Sequence, residues 1–399
     1  MSIKNNELWR AKLLLLLIFS LLIPGFARTQ EKQENEEQRI ELIHAERARG
    51  SIAHGKVVRR LNKDVHLKIG DTHIRCDEAV EFPNEKRWRL KGHVHIYDAE
   101  KDLRADEVTW SQASRLYQAT GNAVLVTGAS RIEARRLLNF ADEKKIVAED
   151  SVEITNRDEM IRVTAQHAVH MQKDGWSRLT ENPVLVQFDS TGAEVTRLLG
   201  EVMESDQKKK KYTISRNVRI FHDDIRATAE QALFLPEQDR IILFENPVAF
   251  QDKHKLEGDS LEIYLEKRQI KSIHVIGNAK ATLLSDTTRS GDADTLTGRE
   301  LFAYIDQSVL HKINVQGTAT SVYRFYENEV YKGVNRIQGD QITLFLRANS
   351  VWRVKIDSDP GKSTGTFTPP GLASDEKKTE SSSSSKSAQE KQRRKAGKR

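Results

Sequence analysis

Between residues 55 and 357, apolar and polar positions alternate with a period of two, in short runs. Val94-His-Ile96, Val124-Leu-Val126, Val152-Glu-Ile154, Val218-Arg-Ile220 and Val248-Ala-Phe250 are five of them. Such alternation gives a strand one apolar face and one wet face. The stretch shows no helical periodicity, and polar turns bound its runs. The pattern predicts an all-β architecture.

A second pattern lies over the first. An apolar residue, any residue, a small residue, two mostly polar residues and a further apolar or small one recur together. Copies are Ile74-Arg-Cys76-Asp-Glu-Ala79, Leu103-Arg-Ala105-Asp-Glu-Val108, Ile132-Glu-Ala134-Arg-Arg-Leu137, Val163-Thr-Ala165-Gln-His-Ala168 and Ala227-Thr-Ala229-Glu-Gln-Ala232. Leu256-Glu-Gly258-Asp-Ser-Leu261, Leu296-Thr-Gly298-Arg-Glu-Leu301 and Ile337-Gln-Gly339-Asp-Gln-Ile342 complete the set. The small residues are spaced by 29, 29, 31, 64, 29, 40 and 41 residues, and the 64 reads as two units of 32 with a degenerate copy near Arg197. Four-residue polar turns such as Pro83–Lys86, Ser111–Ser114, Ala141–Lys144, Gln172–Gly175 and Pro236–Asp239 divide each unit. Units join at Gly or Asn (Gly92, Gly121-Asn122, Asn182-Pro183, Asn217, Asn246-Pro247, Gly277-Asn278, Gly317), which tolerate the positive φ of tight connections. Units of about 30 residues cannot close a core alone and must stack. The expectation is an elongated β-jellyroll or solenoid of roughly nine two-strand repeats across 55–357, not two globular domains.

The ends read differently. Basic residues to Lys12, a largely apolar run Leu13–Ile23 and Pro24-Gly25-Phe26-Ala27 read as a secretory signal over 1–27, the run of eleven residues being too short for the roughly 20 that a membrane span needs. An uncleaved anchor is the competing reading. Residues 28–54 form a charged linker, and 358–399 a basic, Ser-rich tail expected to be disordered.

Charge changes the picture once it is located. The net +6 suggests nucleic acid, but from Gly361 onward there are ten Lys/Arg against four Asp/Glu, and the leader adds +2, leaving 28–360 at −2. No nucleic-acid partner is expected. The single cysteine, Cys76, excludes a disulfide framework and a Cys-cluster metal site.

Candidate chemistry is sparse. Asp77-Glu78 and Asp106-Glu107 resemble the paired carboxylates of a glycoside hydrolase, but a catalytic pair has no reason to recur in each unit, so a solvated edge or turn accounts for them better. His93 and His95 suggest a metal pair, yet spacing indicates no third ligand. Cys76 occupies a small-residue position, so packing explains it, and Lys208–Lys211 reads as a charged loop tip. No nucleotide loop, nucleophile elbow or metalloprotease signature is present, nothing calls for a cofactor, and nothing reads as an enzyme. What remains is the inside. One reading is an ordinary packed core. The other is a groove that holds an acyl chain at each level, lined by Val94, Ile96, Leu103, Val108, Val124, Val126, Ile132, Ile154, Ile161, Val218, Ile220 and Phe250.

The recurring strand, small residue, Asp/Glu and Gly-Asn-Val/Ala start resemble the OstA-like repeats of periplasmic lipopolysaccharide-export proteins of the LptA type in Gram-negative bacteria. The segments LRADEVTWSQASRLYQATGNAVLV (103–126) and IRATAEQALFLPEQDRIILFENPVAF (225–250) carry the likeness, which covers roughly 55–357. The resemblance implies a β-jellyroll that passes lipopolysaccharide, or a similar glycolipid, across the periplasm between inner and outer membranes. It also implies β-jellyroll partners at each membrane, with end-to-end self-association. This chain departs from the family in its length, its last two wider repeats and its basic tail. The alternative is a structural or adhesive secreted β-solenoid with a packed interior. Open arrays expose terminal strands that invite pairing, expected here near Val57–Ile69 and Val351–Ile356.

Overall fold

The computed structural model describes residues 40–370, apart from 54, 112, 253, 267–268, 284–292, 307–308, 328–329 and 348–349. The expected leader, linker residues 28–39 and tail residues 371–399 lie outside the described residues. The chain divides into two compact units between Glu245 and Asn246. The sequence pattern, read as one repeat domain over 55–357, does not mark this boundary, because the motif recurs on both sides of it.

In the first unit the strands are β1 (Ile40–His44), β2 (Arg47–Ala53), β3 (Lys56–Ile69), β4 (Thr72–Phe82), β5 (Arg87–Tyr97) and β6 (Lys101–Ser111). Then come β7 (Leu116–Thr127), β8 (Ser130–Phe140), β9 (Lys145–Asn156), β10 (Ile161–Met171), β11 (Trp176–Thr180) and β12 (Val184–Phe188). The unit ends with β13 (Glu194–Leu199), β14 (Val202–Asp206), β15 (Lys211–His222), β16 (Ile225–Leu235) and β17 (Arg240–Phe244). The second unit holds β18 (Val248–Gln251), β19 (His254–Glu257), β20 (Ser260–Glu266), β21 (Gln269–Leu283) and β22 (Asp294–Asp306). Its last strands are β23 (Val309–Glu327), β24 (Val330–Arg347), β25 (Ser350–Asp357) and β26 (Thr364–Thr368). The fold is all-β and antiparallel, as the alternation predicts. The expected turns at 83–86 and 236–239 are single 3-10 turns closed by Lys86 and Asp239 in the left-handed region.

From β3 to β10 each strand pairs with the next along both of its halves. Just beyond β10, pairs of short strands take the place of single long ones: β10 pairs with β12 through its first half and with β11 through its second. Pro183 stands at the break between β11 and β12, where its missing N–H would interrupt a ladder anyway.

Alternate long strands, and the breaks β11–β12 and β17–β18, carry a step of two consecutive residues in the left-handed region. The steps are Lys63-Asp64, Gly92-His93, Gly121-Asn122, Asp150-Ser151, Glu181-Asn182, Arg216-Asn217, Glu245-Asn246, Gly277-Asn278 and Gly317-Thr318. Register slips across them, for example between Lys91 and Val94, and a bulge of this kind bends the strand. A non-glycine residue in this conformation costs roughly 1–2 kcal/mol, so the neighbours must hold it.

Two features of the repeat motif do so. The residue just after a step faces the motif's small residue on the next strand: Val65 opposite Cys76, Val94 opposite Ala105, Ala123 opposite Ala134, Val152 opposite Ala165 and Val218 opposite Ala229. Ala279 opposite Gly298 and Ala319 opposite Gly339 continue the series in the second unit. The space is tight, since a Cβ on Gly298 would overlap Val315 Cγ1 and one on Gly258 would overlap Val275 Cγ1. The first polar residue of the motif then clasps the following step. Asp106 Oδ2 accepts from Asn122 Nδ2 at 3.0 Å, Asp259 accepts from Asn278 Nδ2 at 3.0 Å, and Asp77 Oδ2 accepts from His93 Nδ1 at 2.8 Å. The recurring acidic residues therefore hold corners.

This clasp locates the degenerate repeat. Glu201 accepts from Asn217 Nδ2 at 2.6 Å, and a Cβ on the preceding Gly200 would overlap Ile214 Cγ2. The missing small residue is Gly200, not a residue at Arg197, and it divides the interval of 64 into 35 and 29. The uneven division hides it from a search at constant spacing.

The ladder also extends past 55–357. Ile40–His44 and Arg47–Ala53 pair with opposite ends of β3, so Val57–Ile69 is covered rather than terminal. At the other end β25, the expected edge, pairs with β24. Thr364–Thr368 pairs with Val334–Gln338, inside the stretch read as tail. These added strands are joined by main-chain bonds, and Leu42, Ile43, Ile52 and Phe367 on them are exposed, so no buried apolar face announces them.

Replacing Gly298 by Ala is expected to destabilise the fold by about 1–3 kcal/mol through overpacking, whereas Gly365→Ala, with nothing within 4 Å of the added carbon, should be near neutral. Urea midpoints of the two variants check this; equal midpoints would remove the close approach as a constraint.

Candidate functional site

The interior of the first unit is assembled from cross-strand rows, one residue per strand. In the halves beyond the steps a row runs Leu67, Ile74, Ile96, Leu103, Leu125, Ile132, Ile154, Val163, Leu185, Leu198, Ile220 and Ala227, each the register partner of the next. All are apolar. In the other halves the corresponding row is Ala79, Leu90, Val108, Ala119, Leu137, Ala148, Ala168, Leu179, Met203, Ile214, Ala232 and Leu243. Apart from the half-buried Ile96 and Leu103 these side chains are buried, so the two rows are the apolar walls of the unit.

Each wall ends in a rim row of different character. Beyond the aliphatic row, Lys101, Thr127, Ser130, Asn156, Ile161 and Gln187 follow one another. Asn156 Nδ2 donates to Ser130 Oγ at 3.1 Å, and Asn156 Oδ1 accepts from the Glu159 amide at 2.9 Å. Beyond the other wall the row is Trp88, Trp110, Tyr117, Asn139, Ile146, His170, Ser177, Ser205, Tyr212 and Phe234. Trp110 and Tyr117 stack at 5.8 Å, with Tyr117 38% exposed, whereas the stretch from Ile146 to Phe234 is buried.

The polar part of that rim is where titration is perturbed. His170 shares a hydrogen bond with Ser177 Oγ at 2.9 Å, and burial lowers its pKa to about 4. Glu159, in the turn between β9 and β10, is only 6% exposed, and its Oε2 has no hydrogen-bond partner. Burial, with a smaller contribution from Asp158, raises its carboxyl to about 7. Tyr212 is pushed up to about 12 by burial and by the nearness of Glu159. Glu159 follows one rim and Tyr212 lies on the other, within electrostatic reach of each other.

Of the twelve expected groove residues, Val94, Val108, Ile132, Ile154, Ile161, Val218 and Ile220 are buried. Ile96 and Leu103 are half-buried members of the aliphatic row. Three are misassigned. Val124 pairs with Arg104 and Glu133, and Val126 with Asp102 and Arg131, on the face opposite buried Ala123, Leu125 and Thr127. Phe250 is 40% exposed, while Ala249 is buried. In an all-apolar run such as Ala123–Val126 alternation fits either parity, and the step decides: the first residue after it points inward. No motif signalled Glu159, Ser205 or Tyr212; a polar residue at an inward position of its strand is the available sign for the last two.

The other candidates are structural. His93 lies in a step and binds Asp77, while His95 Nε2 contacts Asp102 Oδ2 at 2.9 Å, so the two imidazoles serve different partners. Among the described residues no group of three or more His, Cys, Asp or Glu is placed to hold a metal ion. Cys76 is buried, its thiol pushed up to about 12 by burial, which suppresses the thiolate.

Glu159 gives a pH signature. The folded chain keeps its proton up to about 7, while an unfolded carboxyl loses it near 4.5, so stability falls as pH rises through that window. His170 acts oppositely, since its folded pKa is depressed and stability is lost as pH falls from 6.5 towards about 4. Glu159→Gln removes the first effect alone. Relative to this variant, the parent is expected to lose melting temperature between about pH 5 and pH 8. Parallel melting curves across that range would mean a solvated carboxyl.

No family model and no curated protein matches the sequence. Among solved structures, similarity is found to LptH, described as the LptA homologous periplasmic component of the conserved lipopolysaccharide transport device from Pseudomonas aeruginosa. The likeness covers 36% of this chain and 95% of that one, at 14% identity and a TM-score of 0.29.

Proposed function

We propose that the protein is a periplasmic lipid carrier that holds the acyl chains of lipopolysaccharide, or of a similar glycolipid, against the aliphatic row of the first unit. The observation that carries this reading is the row from Leu67 to Ala227, an unbroken line of apolar side chains set crosswise to the strands. A functional reading also gains from the resemblance of the repeats to the OstA-like pattern. Each methylene taken from water contributes about 0.8 kcal/mol, offset by the cost of immobilising the chain. Binding shared over many equivalent rungs suits transfer better than capture. On this reading the apolar leader directs export to the periplasm, and jellyroll partners at the inner and outer membranes, or further copies, add strands at β1–β2 or β25.

The competing reading is a secreted scaffold whose interior is only packed, and the overlap around Gly298 shows how closely parts of the second unit are filled. Photocrosslinking separates the two. Photoreactive residues placed in cells at Ile132 or Ile220 are expected to yield glycolipid adducts, and the same residues at Val126 or Phe250, on the outer face, none. Clean side chains at Ile132 and Ile220 in a folded protein would favour the scaffold. Adducts at all four positions would mean that contact with lipid is not confined to the interior.

A further inference from the structure

Aromatic and cationic side chains alternate across four strands of the second unit. Tyr304 on β22, Lys312 on β23, Phe345 on β24 and Arg353 on β25 are successive register partners. Their chain neighbours Ala303, Ile313 and Leu344 are buried, so this row is turned outward. Lys312 Nζ lies 3.8 Å from the centre of the Tyr304 ring, and Arg353 Cζ 5.4 Å from that of Phe345. Beside the row, Arg347 Cζ lies 4.8 Å over Trp352, whose ring centre is 6.2 Å from that of Phe345. Trp352 is 53% exposed, and Val309, at the start of β23, is 49% exposed. Among the described residues Lys312, Arg347 and Arg353 form no ion pair, and the carboxylates on the same strands are engaged elsewhere: Asp306 by Lys271, Glu300 by His274 and Asp357 by Lys355. A ring holds a cation without cancelling its charge, so this face keeps a surplus of positive charge. The far end of β23 and the start of β24 also expose apolar side chains, Phe325 and Val330, but there Lys332 is paired with Glu327 and Arg324 with Asp294.

We propose that this row docks the second unit on a bilayer surface whose phosphate headgroups carry net negative charge. A guanidinium fork bonds two oxygens of a phosphate at once, and a lysine adds a mobile point charge. Aromatic rings flanked by basic side chains settle at headgroup depth, the rings towards the acyl chains and the cations towards the phosphates. Val309 and Trp352 supply the apolar surface to be inserted. A soluble anion would answer the three cations but leave these two side chains in water. An uncharged bilayer would cover the two side chains but leave the cations without a counter-charge. An anionic bilayer answers the whole face. The proposal is independent of acyl-chain carriage by the first unit.

The test uses the full chain with Val309→Cys carrying an environment-sensitive NBD label. Cys76 is buried and its thiolate suppressed, so the label goes to the new site. Binding through the basic tail alone would not bring the label into lipid, so its emission reads the row itself. Emission is expected to rise with phosphatidylcholine vesicles containing phosphatidylglycerol and to stay flat with phosphatidylcholine alone. The same label on Val330→Cys should stay flat with both. Arg347→Gln combined with Arg353→Gln should raise the lipid concentration for half-maximal emission by about 25-fold, at about fivefold per basic residue. Thermal melting checks that the variants fold, and Lys312→Gln alone, with an expected shift of about fivefold, decides if the pair does not. A flat response at Val309 with anionic vesicles, an equal rise with phosphatidylcholine alone, an equal rise at Val330 or an unshifted midpoint in a folded variant overturns the proposal. Loss of the signal on adding glucose 1-phosphate at constant ionic strength overturns it as well, because the row then takes a free phosphorylated sugar.

Discussion

The structure depends on one steric constraint, the close approach of two backbones at each mid-strand step. Opposite the residue that follows a step of two left-handed residues stands an Ala, Cys or Gly, and at Gly200, Gly258 and Gly298 an added Cβ would overlap a side chain of the neighbouring strand. The constraint explains why the motif contains a small residue. The clasp explains why an acidic or polar residue comes next, since Asp106 and Asp259 hold the Asn of the following step. Both features have a structural cause. Together they turn a flat ladder into strands whose halves both turn apolar residues to the inside.

The same constraint sets which residues are inside. After a step the inward parity restarts, so Val94, Ala123, Val152 and Val218 are buried irrespective of side-chain size. Hydrophobicity alone cannot predict this. Phe250 is the larger and more apolar residue, yet Ala249 takes the interior position because the step at Glu245-Asn246 fixes the count. An interior ordered by backbone geometry presents nearly the same apolar surface on each rung, and the polar rim near Tyr212 is the departure from it.

Much of this was legible in the sequence because it is periodic. The all-β class, the turns at Pro83 and Pro236 and eight of the small residues follow from spacing and residue type. Gly200 escaped because its interval differs from its neighbours'. Val124 and Val126 were misread because an apolar run carries no parity of its own. The strands at 40–53 and 364–368 left no trace because main-chain pairing makes few demands on side chains. Glu159 was invisible for another reason: its burial comes from tertiary packing, and nothing local to residues 157–160 encodes it.

Strand length differs between the units. From β4 to β10 the strands have 11 or 12 residues, whereas β21 to β24 have 15, 13, 19 and 18. The extra residues lie towards the hairpin ends, away from the steps, where each adds about 3.3 Å to a wall. Because side chains alternate, two residues gained on one arm of a hairpin leave every inward position in place, while one residue inverts all those beyond it. Insertions and deletions in this protein should therefore be accepted in even numbers at the hairpins and rejected at the corners. The length of the walls is then a property that can drift during descent while the corners stay fixed.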